Sequence, residues 1–458
     1  MHLSKRLRPL HALLGALLLA GATSSQAALL LVTVKADSYD GQCNLHCSLR
    51  DAVKVANQSA DADIILLPSG TYKLTRRNLR VDNQPIDEDD NLIGDLDVTG
   101  ELLIKGGGIG KSIIEGLTDD LFAVEHRLLE NRPGARLRLE RLTLSLGRSA
   151  DNGGALENHG SLVLRDMQAL ENITREWGEV DGGRGGAIAN YGELLVLDSR
   201  FEGNGAIKES SNPLGGAIFN SGDLQVRRSH FVDNGLGGLP LSGAGSAIYS
   251  ATNAGVESSS FIRNTAGELA DGGAITNEGG ELTVTNSTFS ANREGALTNG
   301  RNDEPPAIRS KATLTNVTIV DGIAELSGRY AVMNWGELMI RNSLIAGNRE
   351  QFGDDPINCR NFGSNFSYQA IGLLRNDEPA NCGADLFVPL EQTFTQVLSA
   401  TLTSDGKTFF HALLPGSPAI DAGIGDCSAQ DQRGVSRPRD GNGDGVAVCD
   451  LGAYELKP

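Results

Sequence analysis

The sequence predicts an all-β fold, a solenoid of short parallel strands. Three observations predict it. A glycine-rich unit recurs along the chain, each unit alternates apolar and polar residues at strand spacing, and the repeat region holds no long capped amphipathic helix. One unit, RGGAIANYGELLVLDSRFEGN, runs from Arg184 to Asn204. Its relatives end at Asn172, Asn234, Asn264 and Asn292, so the terminal asparagines step by 32, 30, 30 and 28 residues. Weaker copies start at Glu294 and end at Asn348. A period of this size marks stacked units, none of which can bury its apolar face alone.

Within a unit, Ala187-Ile188, ELLVLD and SRFEGN read as three short extended segments. The second puts Leu194 and Val196 on one face. Strands this short need the next coil as a partner, which sets parallel neighbours about 4.8 Å apart. Equivalent residues then form ladders. Phe201, Phe231, Phe261 and Phe289 are expected inside, with Ile319 and Ile345 continuing the column. Asn204, Asn234, Asn264 and Asn292 are expected to stack at one turn, bonding neighbouring backbone. Gly185 and Gly186 answer two needs of such a coil: a corner with φ > 0 and close approach of the next coil.

Composition agrees. Aromatic residues are 5% of the chain and glycine is 57 of 458 residues, which suits a narrow core. Residues 1–27 read as a secretory signal: Lys5, Arg6 and Arg8, then LLGALLLAGA, then SQA ending at Ala27. Removing it takes the formal charge from −18 to −21. Such a surface disfavours nucleic acid and anionic membrane and tolerates divalent cations or neutral glycans. The apolar run of the signal is short for a membrane span, and no other long apolar stretch appears. Six cysteines fit an oxidising compartment and fall into three local groups, so Cys43–Cys47, Cys359–Cys382 and Cys427–Cys449 are the expected disulfides. A zinc site at Cys43, His46 and Cys47 lacks a clear fourth ligand nearby.

A solenoid's end coils must be covered. CSLRDAVKVANQS predicts a covering helix, with Ser48 and Asp51 at capping-box spacing and Leu49, Ala52, Val53 and Ala56 on one face. The stretch CSLRDAVKVAN followed by DIILLPSGTYKL resembles the N-terminal CSLREA domain of exported bacterial proteins, with Asp51 replacing its glutamate. The GGAI and FxxN units resemble polymorphic outer-membrane-protein repeats and, more broadly, the right-handed parallel β-helix of the pectin-lyase-like fold. The tail LLPGSPAIDAG, DQRGVSRPRDGNGDG and CDLGAYE is similar to the choice-of-anchor Q region. The resemblance implies a right-handed β-helix. The expected organisation is a signal peptide at 1–27, an N-terminal cap at 28–60, β-helix repeats at 61–350, and C-terminal coils with an anchor-type cap at 351–458. Only Leu456, Lys457 and Pro458 follow Glu455, so release into periplasm, cell surface or medium is expected rather than membrane anchoring.

Chemistry-bearing motifs are sparse. GGGIGKS ends like a phosphate loop, but Lys105 stands where its first glycine belongs, and a glycine-rich turn is the better reading. NHG at Asn158–Gly160 and GDD at Gly353–Asp355 are similar to fragments of pectin-hydrolysing β-helix enzymes. His159, however, occupies a turn position that other units fill with Tyr191, Ser221, Glu278 and Trp335. DGNGDG supplies Asp440, Asn442 and Asp444 at alternate positions, a candidate calcium loop closed by Asp450. The acidic run Asp87–Asp97 is a second candidate. Insertions collect after the terminal asparagines and before the next GGA, on one side of the solenoid. One of them carries Trp177 between Glu176 and Glu179, a candidate glycan contact. These readings converge on an exported, non-catalytic β-helix that binds a glycan, an envelope component or a protein partner. The alternative is a polysaccharide lyase or glycoside hydrolase, recognisable by carboxylates and an arginine or lysine converging in one groove.

Overall fold

The computed structural model describes residues 27–457 except 77–79, 82–83, 86–88, 118–124, 176–181, 209–211, 238–242, 268–271, 302–309, 326–327, 354, 365 and 377–381. The signal segment therefore lies outside the described residues, as do Glu176, Trp177 and Glu179. The chain forms the expected all-β right-handed parallel β-helix. Each coil contributes a three-residue strand to a ten-stranded parallel sheet and two strands to a 22-stranded sheet. In one coil these are Ile188–Asn190, Glu193–Leu197 and Arg200–Glu202. Register is maintained residue for residue, with Leu194 opposite Leu162 and Leu224 and Phe201 opposite Ala169 and Phe231.

Alternation decides the core. Leu194 and Val196 are 2% and 0% exposed, while Glu193 between coils faces out. Phe201, Phe231, Phe261 and Phe289 form one interior stack, with ring centroids 4.8, 4.8 and 4.7 Å apart. Ile319 and Ile345 continue it in register. Each buried Phe contributes on the order of 1.5–3 kcal/mol.

Asn204, Asn234, Asn264 and Asn292 form a ladder beside that stack. Nδ2 of Asn204 donates to Asn234 Oδ1 at 2.9 Å and to the Ala169 carbonyl at 3.0 Å. The same pair of bonds recurs at Asn234 and Asn264. A second ladder lies on the ten-stranded sheet, where Asn131, Asn158, Asn190 and Asn220 pass amide hydrogen bonds of 2.6 to 2.7 Å from coil to coil. Inward asparagines are stable here because every coil offers the next one a partner.

Glycine is used at two places in each corner. Gly185 has φ 70°, and a Cβ on Gly186 would strike the Gly216 and Gly205 carbonyls. The bend between the two strands of the larger sheet is instead made by non-glycine residues in the left-handed region: Asp166, Asp198, Arg228, Ser258 and Asn286, with φ 53°, 49°, 47°, 51° and 49°.

At the N-terminal end, the helix Leu49–Ala56 is capped by Ser48, whose Oγ accepts the Asp51 amide at 3.0 Å while Asp51 accepts the Ser48 amide at 3.2 Å. Arg50, fully buried, pins it to the first coils through Asp37 at 2.7 Å and the carbonyls of Gly94 and Asp95. The segment before the helix also supplies a strand, Leu29–Leu31, paired with Asp63–Leu67. After the last coil strands, an antiparallel hairpin, Leu398–Ser404 with Phe409–Leu413, folds back along the flank. It satisfies outward hydroxyls of the larger sheet: Ser290 Oγ meets His411 Nε2 at 2.9 Å, and Ser260 Oγ accepts the Phe409 amide at 3.2 Å. All three cysteine pairs are disulfides.

Candidate functional site

The ten-stranded sheet turns the middle residue of each strand outward. In chain order these are Asp97, Glu130, Glu157, Ala189, Phe219, Tyr249, Thr276, Thr298, Met333 and Arg360. Three carboxylates therefore stand in register on adjacent coils, about 4.8 Å apart. Arg127, two residues before the strand Leu129–Asn131, reaches into this row. Its Nη2 lies 2.5 Å from Glu157, its Nη1 3.1 Å from Glu130 and 3.5 Å from Asp95, and Asp151 lies at 3.8 Å. Nε donates to the Asn152 carbonyl at 3.3 Å. Glu130 also receives Arg132 at 2.7 Å, and Glu157 is joined by His159 Nε2 at 3.1 Å.

Burial sets the electrostatics of this cluster. It works against the Arg127 charge, but Glu157, Asp95, Glu130 and Asp151 outweigh it and hold the guanidinium more firmly cationic than usual. For Glu157, burial pushes the carboxyl up, and Asp151 adds to that, against the pull of Arg127 and His159. The site thus carries one cation ringed by carboxylates, of which one is easier to protonate than an ordinary glutamate.

Further along, the row becomes aromatic. His159 stacks on Tyr191 at 5.0 Å, Tyr191 leans on Phe219, and Phe219 stacks on Tyr249 at 5.5 Å. The Tyr249 hydroxyl donates to Glu278 at 2.9 Å. At the far end Trp335 stacks on Phe362 at 4.4 Å, and Arg360 lies over both Phe362 and Tyr330. At the turn position shared by His159, Tyr191, Ser221, Glu278 and Trp335, His159 stacks on Tyr191 at one end and Trp335 on Phe362 at the other.

The sequence analysis did not single out Arg127, Glu130 or Glu157, and reached Asp95 only as part of the acidic run Asp87–Asp97. One signal was present: Leu-Glu-Asn occurs at Leu129–Asn131 and again at Leu156–Asn158. The other candidates lie apart from this cluster or are spoken for. GGGIGKS is a turn inside one coil that leads into the strand Ser112–Glu115 rather than into a helix, with the Gly107 amide bonded to Ser112 Oγ. In the acidic run, Asp89 pairs with Arg132 at 3.0 Å and Asp90 with Lys54 at 3.4 Å, while Asp87 lies outside the described residues. The same holds for Asp354. The thiols of Cys43 and Cys47 are taken by their disulfide.

In the DGNGDG loop, Asp440 accepts the amides of Gly443, Asp444 and Gly445, Asn442 accepts that of Asp444, and Asp444 that of Val446. Asp450 turns away, accepting the amides of Asp421 and Leu456. It belongs to a buried C-terminal network in which Arg437 donates to the Asp450 and Gly452 carbonyls and burial pushes the Glu455 carboxyl up to about 7. Asp440, Asn442, Asp444 and Asp450 therefore do not converge as a calcium ligand set. Among the described residues no three His, Cys, Asp or Glu side chains gather in metal-ligand geometry.

No protein-family model matches the chain, and no curated protein matches it. Solved structures similar to it include a pectate lyase, at 12% identity over 95% of this chain and 98% of that one, with a TM-score of 0.41. The catalytic unit of an α-1,3-glucanase from Streptomyces thermodiastaticus is similar at 16% identity over 80% and 71% of the two chains, TM-score 0.35. An alginate lyase in complex with a trisaccharide follows at 11% identity over 84% and 91%, TM-score 0.29. No helix among the described residues is long and apolar enough to cross a membrane.

Proposed function

We propose that the protein is an exported β-helix that captures a glycan, a cell-envelope component or a protein partner on its solenoid surface without turning it over. One observation carries this reading: the convergent charges on the ten-stranded sheet are closed on themselves. Arg127 is ringed by Glu157, Glu130, Asp95 and Asp151, so this cluster offers no free basic group to abstract a proton from a sugar. The middle of the row is Ala189, Phe219, Tyr249, Thr276 and Thr298, all buried, and carries no acid–base pair. Export is supported by the signal-like residues 1–27, by the resemblance of the two terminal segments to exported bacterial proteins, and by three disulfides, which fit an extracellular or periplasmic location. The insertion with Glu176, Trp177 and Glu179 remains the proposed ligand contact.

The test pairs a glycan array with assays for unsaturated and reducing sugar ends. Binding is expected, weakened by Trp177→Ala, with no new sugar ends from any polysaccharide.

A second reading, a glycoside hydrolase or polysaccharide lyase, is favoured by one specific feature. Glu130 and Glu157 stand in register on adjacent coils, and the Glu157 carboxyl, raised by burial, is suited to give a proton. Release of sugar ends that Glu157→Gln abolishes would establish this reading and end the first.

A further inference from the structure

The tip of the C-terminal hairpin does not close onto the solenoid. It leaves a cleft of about 570 Å³ between itself and the outer face of the larger sheet. That volume falls within the roughly 300–1,000 Å³ of small-ligand sites. The solenoid wall supplies Arg165, Arg200 and His230, and the hairpin supplies Lys407 and Phe409. Ile109, 39% exposed, forms an apolar edge with Phe409.

The charge here runs against that of the molecule. The chain is −18 overall, yet the cleft is lined by Arg165, Arg200, Arg228 and Lys407 against Asp166 and Asp198. Asp198 is already held by Arg228 through two bonds of 2.7 and 2.8 Å. Arg200 is partly engaged by Glu202 at 2.9 Å, but its Nε is buried without a partner among the described residues. The side chains of Arg165 and Lys407 have neither an ion-pair nor a hydrogen-bond partner among the described residues. Both act through space on Asp198, whose carboxylate Arg228 already holds, so four cations of the lining face two carboxylates and the cleft keeps a net positive charge that favours an added anion.

His230 adds an uncharged ring. Burial and, next, Arg200 lower its pKa to about 4, against a small opposing pull from Asp405, so the ring is uncharged at neutral pH. Ser260 Oγ accepts the Phe409 amide and lies 3.2 Å from His230 Nδ1. That hydroxyl can give its hydrogen to Nδ1 or accept one from it, so the ring is held in place as an uncharged wall of the cleft.

We propose that this cleft is a binding site for an oxyanion carried on a small ligand. The carboxylate, phosphate or sulfate group would lie between Arg165, Arg200 and Lys407, and its carbon frame against Ile109 and Phe409. The chemistry shared by those three groups is a set of oxygen acceptors with negative charge, which matches guanidinium and ammonium donors. The site is independent of what the ten-stranded sheet binds, since it shares no residue with it.

The experiment uses the complete mature chain in calorimetric titrations with sodium sulfate, phosphate and glucuronate, each against chloride at equal ionic strength, with glucose as the neutral control. Saturable binding of at least one oxyanion is expected, and none of glucose. Losing one charge-assisted contact in Lys407→Gln, or in Arg165→Gln, is expected to weaken binding by about tenfold or more. Both residues are exposed, so the variants should keep the wild-type circular dichroism and Tm. The preference among the three anions tells a carboxylate ligand from a phosphate or sulfate ester. Absence of saturable binding to all three, or equal affinity in the wild type and both variants, overturns the proposal.

Discussion

Phe231 is held between two parallel rings, fully buried, with Phe201 on one side and Phe261 on the other. No neighbouring side chain can move into the space it fills, because each coil is fixed by its own ladder. Phe231→Ala is therefore expected to cost about 3–5 kcal/mol in chemical denaturation. A loss below about 1 kcal/mol would mean that the coils collapse around the cavity. Arg127 is the polar counterpart. Removing its guanidinium takes from Glu157 and Asp95 the arginine they share and leaves Glu130 with Arg132, so Arg127→Met is expected to destabilise by about 3–5 kcal/mol. Restoring stability by adding Glu157→Gln to Arg127→Met would show that the loss comes from the Glu157 carboxylate. At Asp440 the expectation is the reverse. Its carboxylate is already satisfied by three backbone amides, so chelation is expected to leave Tm unchanged. A fall on adding EDTA, reversed by calcium, would place an ion in the DGNGDG loop after all.

The C-terminal hairpin is the element most exposed to pH. Two histidines lie at its contact with the solenoid, one on each side. His230 meets Phe409 edge-on at 5.2 Å, and His411 sits between Ser290 and the Ser399 carbonyl. Burial lowers the pKa of both, to about 4 for His230, despite the opposing effects of Asp405 on His230 and of the Ser399 carbonyl and Asp321 on His411. A histidine in the unfolded chain titrates near 6.5, at about that value. A depressed native pKa means that the unfolded or undocked form takes up the proton first. The contribution to docking is therefore present above about pH 6.5 and is lost as pH falls through about 4. Amide hydrogen exchange, corrected for intrinsic rates, is expected to show Phe409–Leu413 opening at low pH before the coil strands do. Equal protection of that strand at neutral pH and at about pH 4.5 would contradict this.

At the scale of the whole molecule, the solenoid is a stack in which each coil contacts its neighbours. Residues 173–204 make one period of 32, from the residue after Asn172 to Asn204. Deleting them joins Asn172 to Gly205, which then stands where its register partner Ile173 stood. The shortened chain is expected to fold with the same β-rich circular dichroism and a lower Tm, whereas deleting half a period should prevent folding. A deletion of the full period that fails to fold would show that the coils are not interchangeable.

What the sequence determined by itself is whatever repeats or is local. The period, the phenylalanine column and the asparagines at the turn were legible because identical spacing in successive units leaves one way to stack them. The capping box at Ser48 and Asp51 was legible for the opposite reason, since it is complete within four residues. The right-handed course of the coils came from resemblance to known repeats. The tertiary structure alone decided which outward side chains meet. Glu130 and Glu157 sit at matching positions, yet Arg127 joins them only because two coils lie in register and the side chain reaches along the stack. The second asparagine ladder was similarly hidden, because Asn190 reads as part of a turn until Asn158 and Asn220 are placed above and below it. The cleft beneath the hairpin carries no sequence signal at all. Lys407 and Arg165 are remote in the chain, and the fold-back that brings them together follows from hydroxyls on the solenoid flank needing partners, a demand that no period encodes.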